Sequence, residues 1–291
     1  MAITGSSDLG KLIPSEVLQE ARLAFQSNAD VLPLINISDL SGKPGKTADF
    51  PIYNTVAVTT PSNETTDVTT NSAITPTFAT LTVRRQTARV DISDLAQESV
   101  SGEAPSVTAG RLIGMARIKA VETHILGNIA TNWTSSVGAT NSTAISPENI
   151  LSALLTLKKN EANQNLVLAI NASQEFHLLD DVVVSSSAGS DRSALGQSAM
   201  DDGGLQKKSL FGFRVCVTER ISTGTDTNSI NLGLAFNGQE MAYAVKNIGA
   251  NGGLEVQRDA SAGLVEVVCN YYDSSGKVRA AAFVLVKSQT Y

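Results

Sequence analysis

The sequence predicts an α+β protein. Helices gather early in the chain, strand patterns dominate from Leu210 onward, and within residues 46–133 a Thr-rich ribbon pattern runs into one long helix. At 291 residues with 42% hydrophobic side chains, the chain is long and apolar enough to bury a real core, as one large or two small domains.

Residues 1–46 read as an amino-terminal arm. A polar start leads into a short helix in which Pro14 takes a first-turn position, Glu16 follows, and Val17, Leu18, Leu23 and Phe25 supply the apolar side. Residues 47–85 read as an extended β-ribbon loop. Phe50, Ile52, Val56 and Val58 share one face going out, and Leu81 and Val83, then Val90 and Ile92, repeat it coming back. Pro61 and Pro76 bracket a tip whose residues Asn63 to Ser72 offer almost nothing apolar, and no lysine or arginine lies between Lys46 and Arg84. An isolated hairpin of this kind is marginal in water, so the ribbon is expected to lie on another protein surface.

The strand ending in Ile92 gives way to a helical turn capped by Ser93 or Asp94. After Gly102 and Pro105, residues 106–133 read as one helix of about seven turns. Its stripe of Ile118, Val121, Ile125 and Ile129 is narrow, with Arg111, Arg117, Lys119 and Glu122 on the polar remainder, which suits a strut laid across a sheet or a neighbouring subunit.

A small-residue linker, Thr134 to Thr143, precedes a helix that Ser146 caps, Pro147 opens and Glu148 favours electrostatically, with Ile150, Leu151, Leu154 and Leu157 facing inward. Leu166 to Ile170 is a strand, and Ser173 starts a helix that runs to Asp180-Asp181. Residues 185–206 read as a mobile surface loop. Strands follow at Phe211–Val217, Ile230–Phe236, Met241–Val245, Leu254–Gln257, Leu264–Tyr272 and Val278–Val286, with a hairpin turn expected at Asp273–Gly276.

A net charge of -6 and a pI near 5.0 argue against a general nucleic-acid-binding surface, so any DNA nearby is enclosed rather than gripped. Cys216 and Cys269 lie in apolar strand-like runs and read as reduced core residues, able to pair only if those strands were neighbours. The start of the chain lacks the pattern of a secretory signal, and no segment approaches membrane-spanning length.

No constellation of residues specifies chemistry. Gly42-Lys43-Pro44-Gly45-Lys46-Thr47 imitates a phosphate loop but has Leu40 where its first glycine belongs, and reads as a basic turn at the foot of the ribbon. His124 and His177 are the only histidines; neither has a second His or Cys at ligand spacing, and no Gly-x-Ser-x-Gly turn supplies a serine for His177. Asp201-Asp202-Gly203-Gly204 lacks the alternating ligands of a calcium loop, and Gly249, Gly252 and Gly253 lack dinucleotide spacing. No catalytic, cofactor-binding or metal residue is predicted.

Taken in order, these parts resemble the major capsid proteins of tailed phages (Caudoviricetes), with their HK97-like capsid fold. The local matches are Ile92-Ser93-Asp94-Leu95 with Glu98-Ser99, the helix ending Glu122-Thr123-His124-Ile125-Leu126-Gly127, Leu166 to Asp181, Phe211-Gly212-Phe213-Arg214-Val215, and Ala282-Phe283-Val284-Leu285. The resemblance implies that 47–85 is the extended loop overlying an adjacent subunit. It implies that 86–144 is a peripheral domain with 106–133 as its spine helix, and that 145–250 is an axial domain around five-fold and six-fold positions. Residues 251–291 would then be strands returning to the peripheral and axial sheets.

The function so implied is a non-enzymatic coat protein, without cofactors. Its copies form hexamers and pentamers of an icosahedral virion shell around double-stranded DNA, assembled in host cytoplasm with scaffolding and portal proteins, a cement protein being an option, and with no membrane. Some members cross-link through a loop lysine; the loop here has none beyond Lys46, which predicts a non-covalent shell. Some carry a fused scaffold; no room for one is read ahead of residue 40, which predicts a separate scaffolding protein. An encapsulin-like nanocompartment shell is the alternative, and a hydrolase using His177 the remote one.

Overall fold

The computed structural model describes residues 15–27, 29–53, 73–99, 105–131, 133, 135–138, 144–162, 164–184, 205, 209–221, 230–247, 253–259 and 261–289. The first elements are α1 (Ser15–Ser27), β1 (Asn36–Asp39), β2 (Thr47–Ile52), β3 (Thr77–Thr82), β4 (Arg84–Ser93), α2 (Asp94–Ser99) and α3 (Pro105–Thr131). Next come β5 (Ser135–Val137), α4 (Pro147–Lys159), β6 (Leu166–Ile170), α5 (Ala172–Val184), β7 (Ser209–Leu210) and β8 (Phe213–Val217). The last are β9 (Ile230–Asn237), β10 (Met241–Lys246), β11 (Leu254–Asp259), β12 (Leu264–Lys277) and β13 (Phe283–Gln289).

These strands make two sheets and a ribbon. One sheet is organised by β12, whose 14 residues give it room for three partners. It pairs antiparallel with β4 along one edge, and along the other with β11 over residues 264–269 and β10 over 272–277. Strand β1 then joins β10 in parallel. The six-stranded sheet runs β5-β13-β9-β6-β8-β7. Its centre is apolar on both faces, and all five residues of β6 are buried.

The face of β12 carrying Val267, Cys269, Tyr271, Asp273 and Ser275 is buried, and α3 lies over it: Asn128 Nδ2 donates to Ser275 Oγ at 2.6 Å, and the Arg117 guanidinium sits 4.5 Å from the Tyr271 ring centroid. Helix α1 packs on the other side of α3. Gly110 and Gly114 let the backbones approach, since a Cβ at Gly110 would stand 2.7 Å from the Val17 carbonyl oxygen. The narrow stripe expected on 106–133 is therefore too narrow. Val107, Ala109, Ile113, Leu126 and even Glu122 are buried as well, because the helix is sandwiched between α1 and the sheet.

Several expectations shift at particular residues. Asp273–Gly276 is strand rather than hairpin turn, held by pairing with Ala242–Val245; the chain turns instead through a 3-10 segment at Ala280–Ala282, and β12 and β13 belong to different sheets. Strand β10, expected with residues 145–250, joins the five-stranded sheet, whereas β13 enters the six-stranded one between β5 and β9. Ser135–Val137, expected as linker, is a parallel edge strand on β13. Leu151 points outward with Leu155, since the buried side of α4 is Ile150, Ala153 and Leu157.

The cap residues differ from expectation in detail. Ser93 Oγ accepts from the Ala96 N–H at 3.2 Å as a cap should, and Ser146 takes the N-cap position of α4 without a side-chain capping bond. Asn171, one residue before α5, caps it by accepting from the Gln174 N–H at 2.8 Å. The two cysteines are free, buried thiols on different sheets, Cys216 on β8 and Cys269 on β12, where burial pushes the Cys269 thiol up. Among the described residues no helix is long and apolar enough to cross a membrane.

Candidate assembly surface

The ribbon is two strands whose foot is anchored and whose outer side is bare. In β2 and β3, Ala48 lies opposite Leu81 and Phe50 opposite Ala79, and this side packs on the face of the five-stranded sheet away from α3. There Ala48, Phe50, Leu81 and Val83 form a small second core with Leu40, Ala242 and Ala244. Burying Phe50 and Leu81 stabilises the foot by about 1.5–3 kcal/mol each. Gly276 completes the fit, because a Cβ there would meet Leu81 Cδ2 at 2.5 Å.

The opposite side carries Pro51 across from Phe78, and Asp49, whose carboxylate accepts from Thr80 Oγ1 at 2.6 Å. Phe78 is 59% exposed, Ile74 63% and Tyr53 67%. The alternation that predicted the ribbon thus holds for Phe50 and Leu81. Val56, Val58, Pro61 and the polar tip lie outside the described residues.

A polar junction holds the body beneath. Glu122 of α3 is 0% exposed, and its Oε1 accepts backbone N–H groups of Asp30, Val31 and Leu32 at 2.7, 2.8 and 3.3 Å. Its Oε2 accepts from Nη1 of Arg220, which follows β8. One carboxylate so ties together the turn after α1, the long helix and the six-stranded sheet. The sequence placed Glu122 on a solvated face; nothing local marks it otherwise, since its partners lie 90 or more residues away.

A second buried cluster lies between α3 and the five-stranded sheet. Tyr243 donates its hydroxyl to Asp273 Oδ2 at 3.4 Å, and Ser275 Oγ lies 3.5 Å from His124 Nδ1. Burial raises the Asp273 carboxyl above its usual range, opposed by His124, the Tyr243 hydrogen bond and Arg117. Burial likewise pushes Tyr271 up to about 12, and Asp273 adds to it. The Arg117 guanidinium is sandwiched between Phe25 and Tyr271, at 5.0 and 4.5 Å from their ring centroids.

The other sequence candidates are scattered. The Gly42–Thr47 turn is exposed, with Gly42 and Gly45 at φ of 75° and 94°. His177 lies on α5, its ring edge-on to Phe176, and His124 lies on a different helix, α3. Asp201–Gly204, Gly249 and Gly252 lie outside the described residues, as does most of the 185–206 loop. Leu205 of that loop is buried, its N–H donating to Glu175 Oε1 at 2.5 Å. Among the described residues no cluster of His, Cys, Asp or Glu could hold a metal ion. What the surface offers is area for contact.

No family model and no curated protein matches the sequence. Solved structures do match along most of the chain. A structure from Mycobacterium phage Che8 superposes with a TM-score of 0.67 at 19% identity, covering 89% of this chain and 91% of that one. The capsid of cyanophage P-SCSP1u gives 0.64 at 16% identity, covering 90% and 89%. The encapsulin of the holo-SrpI complex from Synechococcus elongatus gives 0.60 at 9% identity, covering 89% and 86%. The chain has the HK97-like capsid fold.

Proposed function

We propose that this chain is the major capsid protein of a tailed bacteriophage, a structural subunit whose copies form the hexamers and pentamers of an icosahedral shell around double-stranded DNA. The observation that carries the reading is the ribbon. In a fold that a phage capsid matches over 90% of this chain, a two-stranded arm anchored at Phe50 and Leu81 presents Tyr53, Ile74 and Phe78 to solvent. A lone molecule gains nothing from that arrangement, whereas a neighbour covering it removes apolar area from water.

In this reading residues 47–85 overlie an adjacent subunit, the five-stranded sheet with α3 forms the peripheral domain, and the six-stranded sheet forms the axial domain. The shell is non-covalent, because the loop offers no lysine beyond Lys46. A separate scaffolding protein and a portal complete assembly in the host cytoplasm. DNA is enclosed without sequence-specific contact, consistent with the net charge of -6.

Electron microscopy of the expressed protein tests the proposal: closed particles, or five- and six-membered rings, are expected. A monodisperse monomer across micromolar concentrations by light scattering would end it. The likeness to an encapsulin supports a second reading, a cellular nanocompartment shell. Purified particles filled with an enzyme and free of DNA would favour that one.

A further inference from the structure

The face of the five-stranded sheet away from α3 is electrically divided. At one end the basic turn folds over it: Lys246 Nζ donates to the carbonyl oxygens of Lys43 and Gly45 at 2.8 and 2.7 Å, and Lys43 and Lys46 point into solvent. Register places Lys246 and Arg85 on either side of Tyr272 on this face, and Arg85 is fixed by Asn270 Oδ1 at 2.8 Å. Asp39 and Asp49 are the exposed carboxylates nearby. Ser41 holds Asp39 below the usual carboxylate range through hydrogen bonds, helped by Lys43, and Asp49 is engaged by Thr80.

Six residues back along β12, roughly 20 Å away, the same face turns acidic. Asp91 lies directly opposite Glu266, Glu255 opposite Val268 and Asp259 opposite Leu264. Like charges opposed across a ladder are destabilising. One guanidinium, Arg89, serves both Asp91 and Glu266 at 2.7 Å. Past the end of β4, α2 carries exposed Glu98 and, at 77%, the most exposed large apolar side chain described, Leu95, with Arg258 of β11 bonded to Asp94 at 2.8 Å within reach of the Glu98 charge. Glu255 has no ion pair among the described residues, and Glu98 is opposed only by the Arg258 guanidinium that already bonds Asp94.

With screening over about 8 Å at physiological salt, the two ends barely sense each other within a molecule and are both available to a partner. We infer that the basic ribbon foot of one copy, Lys43, Lys46, Arg85 and Lys246, docks on the acidic end of the next copy's sheet, Glu255, Asp259 and Glu266, with Glu98 and Leu95 at its margin. The occupant is a second copy because each chain carries both halves of the complement. A head-to-tail contact of this kind closes into rings when its rotation does. This inference rests on the shell reading and names one of its contacts.

Charge exchange tests it. Lys43→Glu with Lys46→Glu reverses the turn, and Glu98→Lys with Glu255→Lys reverses the receiving face; all four residues are exposed. At about 50 mM salt, where screening is weak, each pair of changes is expected to cut the assembled fraction in sedimentation velocity about tenfold. The four changes together are expected to restore it, with circular dichroism of the subunits unaltered throughout. Assembly undiminished in either pair, or no recovery in the fourfold variant, overturns the contact while leaving the shell intact. Failure of the unaltered chain to assemble overturns the shell reading, and this contact with it.

Discussion

Glu122 and Arg220 form an ion pair across 98 positions of sequence, with the carboxylate wholly buried and the guanidinium side chain 19% exposed. Buried charge is tolerable only when it is paired and hydrogen-bonded, and here three backbone N–H groups supply the remainder.

Removing the carboxylate strands both the guanidinium and those N–H groups. Glu122→Ala is expected to destabilise the subunit by about 3–5 kcal/mol, measured by urea unfolding, with Glu122→Gln costing less because it still accepts hydrogen bonds. Equal stability of the alanine variant and the parent would show that the junction contributes nothing.

The contact between α1 and α3 depends on missing side chains. Gly110→Ala is expected to cost about 1–3 kcal/mol by forcing Val17 away. Gly127→Ala on the same helix meets nothing within 4 Å and is expected to gain up to about 1 kcal/mol from helix propensity. The opposite signs, read from paired denaturation curves, separate packing from propensity; two losses of equal size would contradict the packing account.

The two faces of the ribbon should respond differently. Phe50→Ala empties the foot and is expected to destabilise the isolated subunit by about 3–5 kcal/mol. Phe78→Ala is expected to leave subunit stability within about 0.5 kcal/mol yet lower particle yield, since Phe78 has nothing to lose until a neighbour arrives. Thermal melts alongside particle counts check this, and unchanged yield from Phe78→Ala argues against the outer face as a contact.

Asp273 gives stability a pH dependence of known sign. Its folded carboxyl titrates above the ordinary value of 3.8, so its favourable contribution is complete below that pH and is lost as pH rises through the raised folded value. Asp273→Asn stays neutral throughout. The variant's melting temperature minus the parent's is therefore expected to be larger at pH 7 than at pH 3.5. A difference independent of pH would remove Asp273 from the account.

The sequence disclosed what short-range patterns encode. Alternation around Phe50 and Leu81 revealed the ribbon foot, period 3.6 revealed α3 to within two residues, and the unbroken apolar run Leu166–Ile170 revealed the central strand of a sheet. It concealed what depends on distant partners. Asp273–Gly276 has turn composition and becomes strand only because β10 lies beside it. Ser135–Val137 has linker composition and becomes strand only beside β13. Glu122 looks like any helix-surface glutamate until the turn at residues 30–32 and Arg220 arrive. The two charged ends of the outer sheet face were likewise unreadable, because the register of β4, β10 and β11 on β12 creates them.

Strand β12 also sets the timing of synthesis. Emerging from a ribosome, β4, β10 and β11 must all wait for it, and Arg85 meets Asn270 only after 185 residues have passed. The nascent polypeptide therefore carries the unsatisfied edge of β4 through most of translation, while β10 and β11 emerge just ahead of their partner. Such chains fold slowly and aggregate readily, so a need for protection during synthesis is built into the order in which this sheet's members are made.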